Sequence, residues 1–274
     1  MKTRIRLIGL LLTLSLLAFS LIGLLPALAE TEDEEIVEDV MLDELNQEEP
    51  ETEEEADNPG AVPYTARDAF IDDIIALGKE LYDKADGKLQ RAHYKGDIYV
   101  CKNFTVYVFR QTRDKYRMAE YPDRELKIPN NLPAKQCKPH AYGYCWEEIP
   151  ASEGNPFVEA AQFLYDAKLS KEENRALAEE FMKQAKKGDY FQMTGDYSGG
   201  KGAHSAIFIS DYDPATNTIH SMDSNRTGKR INGLRYGKVL FDSEMSIDEW
   251  IGFFCRKKCG ATLYRLRDDI IFAE

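Results

Sequence analysis

The chain has 274 residues, of which 43% are hydrophobic, 11% aromatic and 30% charged. That composition excludes a fibrous, collagen-like or wholly disordered chain and allows one or two domains. The net charge of −13 sits in one tract: residues 30–57 hold 16 acids and no base, whereas residues 58–274 hold 32 of each. The folded part is therefore neutral, and a nucleic-acid partner is not expected.

At the N-terminus, Lys2, Arg4 and Arg6 precede an uncharged run from Leu7 to Leu25. Pro26 breaks the run, and Ala27-Leu28-Ala29 gives the small-x-small pattern of a cleavage site. Residues 1–29 read as an export signal cleaved after Ala29. The alternative is an uncleaved anchor, since 19 apolar residues just span a bilayer. Membrane contact is expected only through such an uncleaved segment. Either way the remainder is expected outside the cytoplasm, secreted or at the cell surface. Residues 30–60 follow, rich in Glu and Asp and without an aromatic residue, and read as a disordered acidic linker. Residues 61–274 form the folded domain.

Within that domain, Phe70, Ile74, Leu77 and Leu81 recur at helical spacing and predict a helix over Ala66–Lys84. Asp97–Phe109 is ambiguous: Ile98, Val100, Phe104, Val106 and Val108 alternate as in a strand, while Cys101, Phe104 and Val108 share a helix face. Local propensity favours the strand. Arg113–Glu148, with four prolines, reads as an irregular insertion. Two helices are expected at Pro156–Lys168 and Lys171–Lys187, the second capped by Ser170 with Glu173 three residues on. Strands follow at Tyr190–Thr194, His204–Ser210, Thr218–Ser224 and Tyr236–Phe241. A short helix is expected at Ser246–Cys255, then a closing strand at Ala261–Arg267. Helices first and a strand meander second argue an α+β fold.

Five cysteines remain: Cys101, Cys137, Cys145, Cys255 and Cys259. In an oxidising compartment they should pair, which leaves one over. Two bridges among Cys137, Cys145, Cys255 and Cys259, of open connectivity, would staple the insertion. Cys137-x-x-His140 with Cys145 has zinc-like spacing, but outside the cytoplasm two disulfides are the simpler reading. No metal or cofactor is expected. Gly199-Gly200-Lys201-Gly202 lacks the spacing and the Ser/Thr of a phosphate loop.

The leftover thiol, Cys101, becomes a nucleophile if an imidazole takes its proton and a third polar group orients that imidazole. Of the four histidines, His93, His140, His204 and His220, His204 stands at the start of a strand directly after a glycine-rich loop. A hairpin centred near Pro214 sets His204 opposite Ser224, with Asp223 and Asn225 as neighbours able to reach the ring. In that register His220 lies opposite Phe208, roughly 13 Å down the ladder at ~3.3 Å per residue. A bulge would bring it closer, so His220 stays open as the third group beside Asp223 and Asn225.

The stretch KKGDYFQMTG…GAHSAIFISDYDPATNTIHSMDSN resembles the second half of the NlpC-type and CHAP-type cysteine peptidases. In them a Gly-Asp opens a strand and a His follows about fifteen residues on; Gly188-Asp189 and His204 fit that pattern. Their nucleophilic Cys opens a helix with an aromatic three residues later, as in Cys101-Lys102-Asn103-Phe104. The resemblance implies the helical reading of Cys101–Phe109, against bare propensity. Asp223-Ser224-Asn225 resembles the CHAP-type acid-x-Asn pair, and His220 the NlpC-type third residue. The Asp before the Cys and the Ser-Gly after it, usual in NlpC-type proteins, are replaced by Val100 and by Lys102-Asn103. The resemblance implies a papain-like domain, with N-terminal helices on an antiparallel sheet. It also implies an exported, monomeric hydrolase acting on peptidoglycan or its peptide fragments. Cys101 would be the nucleophile, His204 the base and Asp223 or Asn225 the orienting group. The competing reading is a non-enzymatic surface domain of the same fold that binds glycopeptide, in which Cys101 is bridged or inert.

Overall fold

The computed structural model of the protein describes residues 63–91, 98–133, 135–137, 140, 142–197 and 200–273, with the backbone alone at 91 and 226–230. The export signal, the acidic linker and His93 lie outside the described residues. All described residues fall within one unit, Gly60–Glu274.

Helix α1 spans Ala66–Ala85, with Thr65 and Asp68 as a reciprocal capping box and Asp86, left-handed at φ 48°, at its end. Helix α2 spans Cys101–Thr112 and buries Phe104, Thr105, Val108, Phe109 and Thr112. This is the helix that the resemblance implies, and it corrects the strand that local propensity favours. The magnitudes explain the outcome. β-propensities span about 1 kcal/mol, whereas burying each of Phe104, Val108 and Phe109 contributes about 1.5–3 kcal/mol. Only helical spacing puts all three on one face.

The insertion after α2 is largely irregular, with strand β2 at Tyr116–Met118 paired to a terminal strand, β9, at Ile270–Phe272. Here the expected disulfides fail: all five cysteines are free. Cys137 and Cys145 do lie together with Tyr144 in a small buried cluster, as hydrogen-bonded thiols. Cys255 and Cys259 share Arg256 as a neighbour, and beyond it the first faces Arg175 and the second Lys201.

A second correction concerns Pro156–Lys168, which is strand β3, Phe157–Leu164, rather than a helix. It pairs antiparallel with β8, Gly260–Leu266, and slips register between Glu159 and Ala161. That bulge reverses the alternation, so Phe157 enters one core and Phe163 the other. Helix preference in Ala, Glu and Gln is worth under about 0.7 kcal/mol per residue. Seating two phenylalanines in two separate cores outweighs it.

Helix α3, Lys171–Met182, has the expected Ser170/Glu173 capping box, and α4, Ile247–Phe254, has its counterpart in Ser246/Glu249. The remaining strands are β1 (Gln90–Arg91), β4 (Tyr190–Tyr197), β5 (Gly200–Phe208), β6 (Thr218–Ile231) and β7 (Leu234–Ser246). With β3 and β8 they form a seven-stranded sheet in the order β1-β7-β6-β5-β4-β8-β3, every described pairing antiparallel. The fold is α+β. Phe70, Phe104 and Phe109 from α1 and α2 pack on Tyr190, Ile207 and Met222. Phe181 from α3 and Trp250 and Phe254 from α4 pack on Phe191, Phe208 and Leu263 on the opposite face. Successive residues such as Tyr190/Phe191 and Ile207/Phe208 thus feed different cores, which is why these strands read as apolar runs.

The β5–β6 register also differs from expectation. Ile207 faces Met222 and Phe208 faces Ser221, so Phe208 does not face His220. The turn accounts for the shift. Asp213 and Thr218 form their own bridge, and Asp213 caps the Ala215 N–H. Asn217 takes φ 59°, and the Ser210 hydroxyl accepts from the His220 N–H. A one-residue slip exchanges the faces of a strand. In the observed register Asp223, alternating with Ser221, shares a face with His204, alternating with Phe208.

Candidate active site

Cys101 opens α2, where the first main-chain N–H groups have no acceptor within the helix and the helix dipole favours negative charge. The described β5–β6 ladder consists of the two pairs at Ile207 and Phe208. Beyond them the Ser205 N–H donates to the Cys101 sulfur, which stands where a ladder acceptor would be. The His204 ring hydrogen-bonds the same sulfur. Its Nε2 lies 2.7 Å from Asp223 Oδ2, which leaves Nδ1 for the thiol. His204 and Asp223 are 8% and 5% exposed, so water screens their interaction little.

The electrostatics follow from this geometry. Burial alone would raise the Cys101 pKa, but the His204 hydrogen bond and charge, with the Ser205 and Lys102 N–H groups, hold it below its ordinary value. Burial would lower the His204 pKa; the Asp223 charge and hydrogen bond, and then the Cys101 thiol, outweigh it and push it up to about 10. The two shifts run in the directions that favour a thiolate–imidazolium pair.

The three residues brought together are thus Cys101, His204 and Asp223. Asn225 is exposed and stands outside the cluster, so of the two expected orienting groups it is Asp223 that reaches the ring. His220 turns away to Asp242, 2.6 Å from its Nδ1, with its side chain 35% exposed. Gly188 and Asp189, which carry part of the resemblance, are structural. Gly188 has φ +87° and sits so close to Ile71 that a Cβ would come 2.6 Å from Ile71 Cδ1. Asp189 is fully buried and holds Arg265 with both oxygens at 2.7 Å.

Several neighbours were not legible beforehand. Lys102 is half-buried beside Cys101, its ammonium 4.5 Å from the centre of the Trp146 ring and donating to the Pro129 carbonyl at 3.1 Å. Burial pushes its pKa down to about 7. Trp250 lies 6.3 Å from the His204 ring, nearly parallel to it. Tyr197 feels the Cys101 and Asp223 charges, and its hydroxyl is buried without a partner among the described residues. The one available signal was Lys102's adjacency to Cys101; the others are set by tertiary packing. The insertion also reaches the site. Gly143, at φ +106°, presses on the residue before His204, and a Cβ there would come 2.2 Å from Ala203 Cβ. Among the described residues no group of three His, Cys, Asp or Glu side chains is arranged to hold a metal ion. The His140 Nε2, part of the zinc-like spacing, lies 3.3 Å from the Tyr165 carbonyl oxygen.

No family model, no curated protein and no solved structure matches this chain.

Proposed function

We propose that the protein is an exported cysteine hydrolase of papain-like architecture that cleaves amide bonds, with peptidoglycan peptides as the substrate class. The reading rests above all on one observation: a free thiol at a helix N-terminus hydrogen-bonded to a buried histidine, which is itself held by a buried carboxylate. In this mechanism the Cys101 thiolate attacks the amide carbonyl carbon. The carbonyl π electrons move to oxygen, and the Cys101 main-chain N–H is the donor for that oxyanion. The His204 imidazolium gives its proton to the leaving nitrogen as the C–N bond breaks, leaving a thioester. His204 then takes a proton from water, whose hydroxide attacks the thioester and releases the acid and the thiolate. Asp223 keeps the Nε2 proton in place and offsets the imidazolium charge.

The binding-only alternative calls for a bridged or inert Cys101. The free thiol and its depressed pKa favour the hydrolase. Iodoacetamide labelling at pH 6 with peptide mass spectrometry tests the choice, since an ordinary thiol with a pKa of about 8.5 hardly reacts there. Rapid alkylation of Cys101 ahead of the other four cysteines is expected; an unlabelled Cys101 would overturn the assignment.

A further inference from the structure

Of the four described α-helices, three start alike: α1, α3 and α4 each open with a reciprocal capping box and an acid in the first turn. Helix α2, which carries Cys101, does the opposite. Val100 at its cap makes no side-chain bond, no acid stands in its first turn, and its second residue is Lys102. A cation there opposes the helix dipole, so local helix energetics argue against this residue. The side chain is committed elsewhere. Its ammonium donates to the Pro129 carbonyl at 3.1 Å and lies 4.5 Å from the centre of the Trp146 ring.

Both partners belong to a braced part of the insertion. Pro129 leads into a short antiparallel pair of residues 130–132 and 145–147, joined at the Asn131–Trp146 bridge. There the Glu147 N–H donates to the Asn130 carbonyl and the Leu132 N–H to the Cys145 carbonyl. Trp146 is in turn fixed to β8: its ring stacks on Tyr264 at 4.1 Å, and its main-chain N–H donates to the Tyr264 hydroxyl at 2.7 Å. Lys102 thus pins the first turn of the cysteine helix to a wall that is itself held by the sheet. The charged and titratable groups facing the ammonium are Cys101 and Arg110 on its own helix and Glu147 on the insertion, and Cys101 acts on it most strongly. Glu147 also accepts from the Asn130 main-chain and side-chain N–H groups.

Building on the hydrolase reading, in which Cys101 is the nucleophile, we propose that Lys102 is a positioning residue: its ammonium fixes the first turn of α2 against the insertion and holds, beside the sulfur, a positive charge that favours the thiolate. The residue that local helix rules disfavour is thereby explained by the site it serves. The test is a pH titration of the Cys101 thiolate by its ultraviolet absorbance, taken for the full chain as the difference from the same protein carrying Cys101→Ala. Lys102→Met keeps the unbranched stem and removes the charge. Lys102→Gln also removes the charge but retains a donor for Pro129, and Lys102→Arg keeps both charge and donor. Burial pushes the Lys102 pKa down to about 7, so at pH 6 the side chain is an ammonium. At that pH both neutral variants are expected to lower the thiolate-to-thiol ratio by about threefold or more, with the titration midpoint moved up, and Lys102→Arg to stay within about twofold. A side chain that serves only as an anchor predicts a lower melting temperature in Lys102→Met with the midpoint in place, and that result would overturn the proposal. So would a Lys102→Gln midpoint equal to that of the unsubstituted protein, or a Lys102→Arg midpoint displaced as far as that of Lys102→Met. The titration reads the thiol without alkylation. A Cys101 that resists iodoacetamide therefore removes the hydrolase reading and leaves this result standing, whereas an unmoved midpoint beside a rapidly alkylated Cys101 removes only the role of Lys102.

Discussion

Two histidine–carboxylate pairs lie on this sheet, and they have nearly the same length: His204–Asp223 at 2.7 Å and His220–Asp242 at 2.6 Å. Their surroundings differ. The first pair is buried and abuts a thiol; in the second, the His side chain is 35% and the Asp 64% exposed. A short contact between imidazole and carboxylate is therefore not a site in itself. Burial gives the contact electrostatic strength, and the third group gives the proton somewhere to go.

Substitutions at the two pairs sharpen that contrast. The largest effect is expected for Cys101→Ala and His204→Ala, each reducing amide hydrolysis by about a million-fold while circular dichroism and thermal unfolding show a folded domain. Retained turnover in either variant would remove that residue from the mechanism. Asp223→Asn should lower kcat by about 10²- to 10⁴-fold with the alkylation of Cys101 slowed, because the ring loses its charge partner. At the other pair, Asp242→Asn should leave the rate within about twofold. A comparable loss there would erase the distinction between the two.

The same contrast has a pH signature. The Cys101 pKa is lowered, so activity should fall as acid protonates the thiolate; the His204 pKa is raised to about 10, so activity should fall again as base removes the imidazolium proton. For stability, a raised histidine pKa contributes fully below the unfolded value of about 6.5 and is lost as pH rises towards about 10. Chemical denaturation of the protein and of His204→Ala across that window should show the difference between them shrinking with rising pH. A constant difference would mean that His204 is not charged in the folded state.

Much of the framework was legible because its signals are local. The Ser170/Glu173 and Ser246/Glu249 boxes announce two helix starts within a few residues. The apolar residues of β4 and β5 announce strands wherever they pair. What was not legible depends on partners far along the chain. The helix at Cys101 hides behind an alternating pattern until Tyr190 and Ile207 are there to receive Phe104 and Phe109. β3 looks helical until β8 pairs with it. Cys101 and His204 could be singled out from residue type and order, but the choice of Asp223 over Asn225 could not: the two stand two residues apart on one strand, and only the tertiary structure brings Asp223 to the His204 ring and leaves Asn225 exposed. The cysteine count suggested bridges, and the structure instead has five free thiols. Residue identity says which thiols are available, while the chain's path decides their distances.

The bond from the Ser205 N–H to the Cys101 sulfur ties the backbone of β5 to the protonation state of that sulfur. An anionic sulfur holds an amide proton more firmly than a neutral one. The Ser205 amide resonance should therefore move as the thiol titrates, and its deuterium uptake should quicken once the sulfur is alkylated. The strand carries its own isotopic indicator, able to report the state of the nucleophile in a protein given no substrate at all.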